Sequence, residues 1–283
     1  MKKLLLLILT ITVAHAVSAQ ITTPQPSPFS KIEQKAGLTD ITLEYSRPSM
    51  RGRTIFGDLE PYGEIWRTGA NSRTKITFST EVTVGGKTLE AGSYAIFTKP
   101  GKDSWDVYFY TEANGNGEPA EWDDSKVAAM VNIEVYPLPM SIETFTITFD
   151  DLTNDSVVLG IMWEKTYIGV PIDLPTDNMV LASINHAMNG TPTANDYYNA
   201  AVYYLQENKN IERAKEWIDK AVSMAGDNVP FWQLRQQSLI YAKAGDKAGA
   251  IAIAKKGIVA AEAAGNQDYV KLNKDSLAEW GAM

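Results

Sequence analysis

Apolar residues recur at every second position through the first part of this chain and at every third or fourth position after about residue 195. A chain that changes period in this way builds a sheet first and packs helices after it. Thr144 to Phe149 puts Phe145, Ile147 and Phe149 on one face and Thr144, Thr146 and Thr148 on the other. Trp105, Val107 and Phe109 repeat that spacing, as do Ile76 with Phe78 and Val82 with Val84, and Val157 to Trp163 forms a last strand with a possible continuation to Val170. Between them lie the turn formers Gly85-Gly86, Lys99-Pro100-Gly101, Asn114-Gly115-Asn116-Gly117 and Asn154-Asp155. Short strands at this spacing without amphipathic helices between them predict an antiparallel β-sandwich, followed by an α-helical part.

The N-terminus reads as an export signal. Lys2 and Lys3 precede an apolar run from Leu4 to Val13, and Val17-Ser18-Ala19 is a small-residue cleavage site. The expected mature chain begins at Gln20 and lies in the periplasm or outside the cell. No Cys follows the site to take a lipid, and no run approaches the roughly 20 apolar residues that span a bilayer. The chain has no Cys at all, which excludes thiol chemistry and zinc-thiolate sites. Of its two His residues, His15 falls in the signal, so only His186 remains and a multi-His metal centre is excluded. Loss of Lys2 and Lys3 moves the formal charge from −8 to −10. So acidic a chain lacks the basic surface that displaces counterions from nucleic acid.

Residues 20–30, with Pro24, Pro26 and Pro28, read as an extended arm, residues 31–172 as the β-sandwich, 173–194 as a linker and 195–283 as helical hairpins. Two helical segments match at an offset of 36 residues: Ala214, Ile218 and Ala221 correspond to Ala250, Ala254 and Gly257. The junction from Tyr241 to Ala250, in which Gly245 would end one helix and Asp246 cap the next, resembles that of tetratricopeptide repeats. Tyr269 to Trp280 then looks like a terminal capping helix. The resemblance departs at Gln237 and Ser238, where small apolar residues are usual, and it implies a surface for a protein partner.

The mature chain holds seven Arg, and Arg47, Arg51, Arg53, Arg67 and Arg73 fall within one Gly- and Pro-rich segment that reads as a long ordered loop. Planar guanidinium forks suit carboxylate, phosphate or sulfate. Tyr45 to Asn71, with Arg51-Gly-Arg53, Pro61-Tyr-Gly63 and Trp66-Arg-Thr-Gly-Ala-Asn71, followed by Gly86-Lys-Thr-Leu-Glu-Ala-Gly-Ser-Tyr94, resembles the hallmark of an exported bacterial family, domain of unknown function 2911. The resemblance covers about residues 28 to 172 and implies a domain boundary but no activity.

The residues themselves suggest a non-catalytic binding module for a small anionic or carbohydrate ligand, or for a protein partner. Arg47, Arg51, Arg53 and Arg67 would hold charge, Tyr62 and Trp66 would offer apolar faces, and Asn71 would add hydrogen bonds. Against this stands an internal network in which Glu44, Asp58, Glu60 and Glu64 pair with the arginines. Two further readings are a glycan hydrolase using paired carboxylates and a structural envelope protein. Glu118, Glu121, Asp123 and Asp124 lack EF-hand spacing and read as a solvated acidic loop. Asp150, Asp151, Asn154 and Asp155 belong to a turn, and His186 reads as a surface or interdomain contact. There is no Gly-x-Ser-x-Gly elbow, and no catalytic residue, metal or cofactor is expected. When the full chain is expressed in a Gram-negative host, the mass of the recovered protein is expected to correspond to a start at Gln20. Recovery with Met1 retained would refute the export reading.

Overall fold

The computed structural model describes residues 23–226 and 228–282. The export signal and its cleavage site lie outside the described residues. The described residues divide into two compact units with the boundary after Thr176, and the order is β then α, as the change of period predicts.

The first unit consists of two antiparallel sheets. One has six strands in the order β1 (Phe29–Ala36), β2 (Thr39–Ser46), β3 (Thr74–Phe78), β6 (Gly92–Lys99), β7 (Ser104–Tyr110) and β8 (Val127–Glu134). The other has four, in the order β5 (Lys87–Leu89), β4 (Val82–Val84), β10 (Ser156–Asp173) and β9 (Tyr136–Asp150). The predicted turns appear where expected: Gly85 and Gly86, at φ 56° and 76°, close the β4–β5 hairpin, as a two-residue turn with both centres left-handed requires. Ile41, Leu43, Ile76, Ile96, Trp105 and Val107 from the large sheet share one core with Phe145, Ile147, Leu159, Ile161 and Trp163 from the small one.

Two features depart from simple alternation. In β10 the buried positions are Val157, Leu159, Ile161 and Trp163, then Ile168, Val170 and Ile172. The parity changes because the register shifts on both sides of Glu164, which has φ 54°; a bulge of this kind lets one long strand keep both ends on the core. In β6, residues from Tyr94 to Thr98 are buried on both faces. The outward pair Ala95 and Phe97, with Tyr110, is covered by Trp122 and Ile65, so the connection from β7 to β8 acts as a lid on that face.

The second unit has six helices: α1 (Thr176–Met188), α2 (Ala194–Gln206), α3 (Ile211–Ala225), α4 (Phe231–Lys243), α5 (Lys247–Ala263) and α6 (Gln267–Glu279). The stretch 173–194 read as a linker therefore carries a helix. Its Ile184 and Met188, one turn apart, pack on a cluster containing Ala200, Ala201 and Ile218, and Asp177 accepts from Tyr203 Oη at 2.8 Å. This burial against a neighbour, absent from local sequence, makes α1 a member of the unit. Gly245 at φ 83° ends α4 and the Asp246 side chain accepts from Gly249 N at 2.9 Å, as predicted. Buried Gln237 donates to Asp219 at 2.8 Å and Ser238 to Arg235 O at 2.7 Å, so both polar positions are satisfied. Among the described residues no helix is long and apolar enough to cross a membrane.

Replacing Phe56, which lies in the sandwich core against three Trp rings, with Ala is expected to lower unfolding stability by about 3–5 kcal/mol. Arg53→Ala, which gives up two main-chain hydrogen bonds at an exposed side chain, should cost less, about 1 kcal/mol. Urea denaturation of the two variants checks the contrast.

Candidate functional site

The segment 47–73 leaves β2 and returns to β3, neighbours in the large sheet, and touches the small sheet on the way. At its start Phe145 N donates to Pro48 O and Met50 N to Glu143 O, both at 2.8 Å, so the chain adds a short stretch of ladder to the edge of β9. At its end Trp66 and Thr98 exchange backbone hydrogen bonds of 2.7 and 3.0 Å, prolonging the pairing beside β6. Between these anchors Ile55 and Phe56 enter the core, and their two N–H groups point at the Glu164 carboxylate, each at 3.4 Å. The loop thus spans the two sheets and completes the core between them.

The residues proposed from sequence separate into two groups. Trp66 is 3% exposed and stacks on Trp163 at 6.0 Å, so it is a core residue and offers no face to a ligand. The apolar demand of the core outcompeted the expectation of a binding surface. Arg47 donates to Phe145 O at 3.0 Å and Thr146 Oγ1 at 2.7 Å, and serves to hold the loop to β9. Arg51, at φ 51°, donates through Nη2 to Pro26 O at 2.9 Å, while its backbone N–H binds Glu143 Oε1. Tyr62 is 40% exposed and lies over Gly57, where an added Cβ would come within 2.5 Å of its ring.

Arg53, Arg67 and Asn71 are brought together. They line a cleft of about 370 Å³ whose other walls include Ser27, Leu59, Glu60 and Trp163. Arg53 Nε donates to Met50 O at 2.9 Å and Nη2 to Ser49 O at 2.8 Å. Arg67 Nη1 reaches Asn71 O at 3.5 Å. Asn71, at φ 60°, donates to Ser27 O and Ser46 Oγ, both at 3.2 Å. The network of arginines paired with Glu44, Asp58, Glu60 and Glu64 is not what holds the loop. Glu44 pairs with Lys75 at 2.8 Å, and Arg73, buried over the Phe97 ring, pairs with Glu112 at 3.5 Å. Among the described residues no ion pair involves Arg47, Arg51, Arg53 or Arg67. Main-chain carbonyls do the work the carboxylates were expected to do.

Glu60 is held in place by a tight turn: its N–H donates to Ile55 O and its carbonyl accepts from Gly57 N, each at 2.9 Å. Burial pushes its carboxyl from 4.5 up to about 7. Arg67 opposes this, Glu118 adds to it and Arg53 opposes it more weakly. Desolvation outweighs the nearby guanidiniums, which leaves a carboxyl that titrates near neutrality on the wall of a cationic cleft.

The acidic stretch after the Asn-Gly-Asn-Gly turn is locally satisfied: Asp123 accepts from Ser125 at the start of a short 3-10 turn, Asp124–Lys126, and Asp124 accepts from Trp122 Nε1 at 2.9 Å. At the β9 end Asp150 accepts from Thr148 and Tyr167, and burial with this carboxylate pushes the Tyr167 phenol up to about 12. His186 is exposed on α1. Among the described residues no group of three or more His, Asp or Glu could hold a metal ion.

A family model described as "Protein of unknown function (DUF2911)" matches residues 27–172, more than half of the chain and all of the sandwich but the last residue of β10. The chain belongs to the DUF2911 family. No curated protein and no solved structure matches it. The DUF2911 domain also uses residues that the sequence did not single out. Glu164 and Glu143 anchor the Arg-rich loop from the small sheet, and Trp163 forms part of the cleft wall. The only signal for Glu164 was the change of parity between Trp163 and Ile168.

Because the folded pKa of Glu60 lies above the ordinary 4.5, the native DUF2911 domain binds more protons than the unfolded chain between about pH 4.5 and 7. The associated stability is fully present below that window and is lost as pH rises through about 7. Glu60→Gln should remove this decline, so the variant gains on the wild type at the alkaline end. Urea midpoints at both ends of the window measure it, and parallel profiles for the two proteins would show that Glu60 does not titrate there.

Proposed function

We propose that the DUF2911 domain is a non-catalytic binding module that takes a small carboxylate or phosphate anion between Arg53 and Arg67. One observation carries this reading: two guanidiniums in one cleft, oriented by main-chain carbonyls and without a carboxylate partner. Nη1 of Arg53 and Nε and Nη2 of Arg67 have no hydrogen-bond partner among the described residues. Donors that no carboxylate neutralises bind an anion without first breaking an ion pair. Protonated Glu60 adds an O–H donor, whereas ionised Glu60 repels the ligand. Affinity therefore falls as pH rises through about 7.

Calorimetric titration with inorganic phosphate and with succinate is the test. Arg53→Ala and Arg67→Ala should each weaken binding by about tenfold or more, the charged hydrogen bonds being worth about 1.5–3 kcal/mol. Glu60→Gln should abolish the pH dependence of succinate binding near neutrality, where succinate itself no longer titrates. Absence of binding for both probes, or binding indifferent to both arginines, would refute the site.

A second reading, glycoside hydrolysis by a carboxyl pair, has one observation in its favour: Glu60 titrates where a general acid should, and Glu118 is close enough to raise it further. Release of reducing sugar that disappears in Glu60→Gln would favour it over simple binding. A purely structural envelope role would leave both assays silent.

We further propose that the chain is exported to the periplasm or beyond, supported by the charge, apolar run and small-residue order of residues 1–19. The helical unit we read as tetratricopeptide-like, supported by burial of Ala214, Ile218 and Ala221 in α3 and of Ala250, Ala254 and Gly257 in α5 at the 36-residue offset. An apolar cleft of about 800 Å³ among α3, α4 and α5, with Leu234, Tyr241 and Ile253 in its walls, offers this unit a surface for a protein partner.

A further inference from the structure

We propose that a second cleft of the sandwich, beneath residues 112–117 and distinct from the one lined by Arg53 and Arg67, binds a neutral sugar unit of a glycan. The cleft measures about 380 Å³, within the range of small-molecule sites. Phe29, Glu44, Ser72, Arg73, Lys75 and Asn114 supply its chemistry.

The charges here are spent on each other. Lys75 pairs with Glu44 at 2.8 Å. Arg73 pairs with Glu112 and donates to the carbonyls of Glu112, Asn114 and Gly117 at 2.7, 3.1 and 3.1 Å. An anion would meet no uncompensated cation, and a wholly apolar ligand would strip water from these groups without replacing it. A polyol meets both conditions, because each hydroxyl donates and accepts. Glu44 Oε1 and the Asn114 amide have no partner among the described residues, which leaves an acceptor and an amide for adjacent hydroxyls.

The apolar half of a sugar also has a counterpart. Phe29, the first residue of β1, is 65% exposed in the cleft wall. An aromatic ring so placed matches the C–H face of a pyranose, and covering it removes apolar surface from water.

The cleft is also held ready. The guanidinium of Arg73 sits between the Phe97 ring, 5.5 Å away, and Gly115, where a Cβ would come within 2.9 Å of Arg73 Cζ. Gly115 at φ 144° is thus the residue that lets the main chain close down on the arginine. Ser72 Oγ donates to Asn116 Oδ1 at 3.1 Å and fixes the far side of the loop. A site built this way loses little conformational freedom on binding.

The test titrates the full chain with cellohexaose, xylohexaose, laminarihexaose and chitohexaose, followed by calorimetry. At least one of them should bind, with an affinity little changed by added salt because no net charge is involved. Phe29→Ala and Asn114→Ala should each weaken that binding roughly five- to tenfold while leaving the urea midpoint unchanged, both side chains being exposed. Arg53→Ala and Arg67→Ala should leave it intact. The proposal is overturned if none of the four binds, if binding survives both Phe29→Ala and Asn114→Ala, or if it is lost in the Arg53 and Arg67 variants, which would move the sugar to the other cleft. Failure here leaves phosphate and succinate binding at Arg53 and Arg67 untouched, so the two proposals fail separately.

Discussion

Five aromatic rings, Phe56, Trp66, Trp105, Phe145 and Trp163, meet where the Arg-rich loop between β2 and β3 packs between the two sheets. Two come from the loop and three from β7, β9 and β10, so the cluster forms only when both sheets and the loop are in place. Such ring pairs contribute about 0.5–1.5 kcal/mol each beyond the area they bury, and seven of them are made here. That exceeds the roughly 1–3 kcal/mol of leaving Trp66 Nε1 buried without a partner. Once Phe56 and Trp66 are committed to the core, the residues between and beside them lose their freedom, and the loop acquires a fixed shape.

A fixed backbone must satisfy its polar groups, and this requirement explains the fate of the charged residues around it. Glu164 turns inward at the β10 bulge to take the N–H groups of Ile55 and Phe56. Arg47 takes the Phe145 carbonyl of β9, and Arg53 takes Ser49 O and shares Met50 O with its own backbone N–H. Arginines used this way are positioned by the fold without being neutralised, and the cleft holding Arg53 and Arg67 keeps its positive charge in an otherwise acidic protein. The cleft at Arg73 shows the opposite solution, in which every formal charge has a partner and the polar surface is rich in donors and acceptors without net field. The two clefts therefore differ in net charge for a single reason, namely whether the guanidinium meets a carboxylate.

The strands with an uninterrupted period of two were legible in the sequence, and so were the turns marked by paired Gly or Asn-Gly and the helix junction at Gly245 and Asp246. In each case the physical cause is local: alternation follows from the pleat, and a left-handed backbone favours Gly. The continuation of β10 through Glu164 was less clear, because one extra residue inverts the pattern and mimics the end of a strand. Helix α1 was read as linker because its apolar residues are few and become meaningful only against Ala200, Ala201 and Ile218. At the candidate site, Arg53, Arg67 and Asn71 line one cleft, whereas Trp66 lies in the core and Glu60 forms no ion pair among the described residues.

By itself the sequence determined the order of sheet and helix, the family of the sandwich and the segment in which cationic side chains gather, since each depends on composition and spacing along the chain. Only the tertiary structure decided which of those side chains face a cleft. Burial and pairing depend on partners roughly 90 to 110 residues away, such as Phe145 for Arg47 and Glu164 for Phe56. Nothing in the spacing of the loop's own residues announces which carbonyl or carboxylate will meet them.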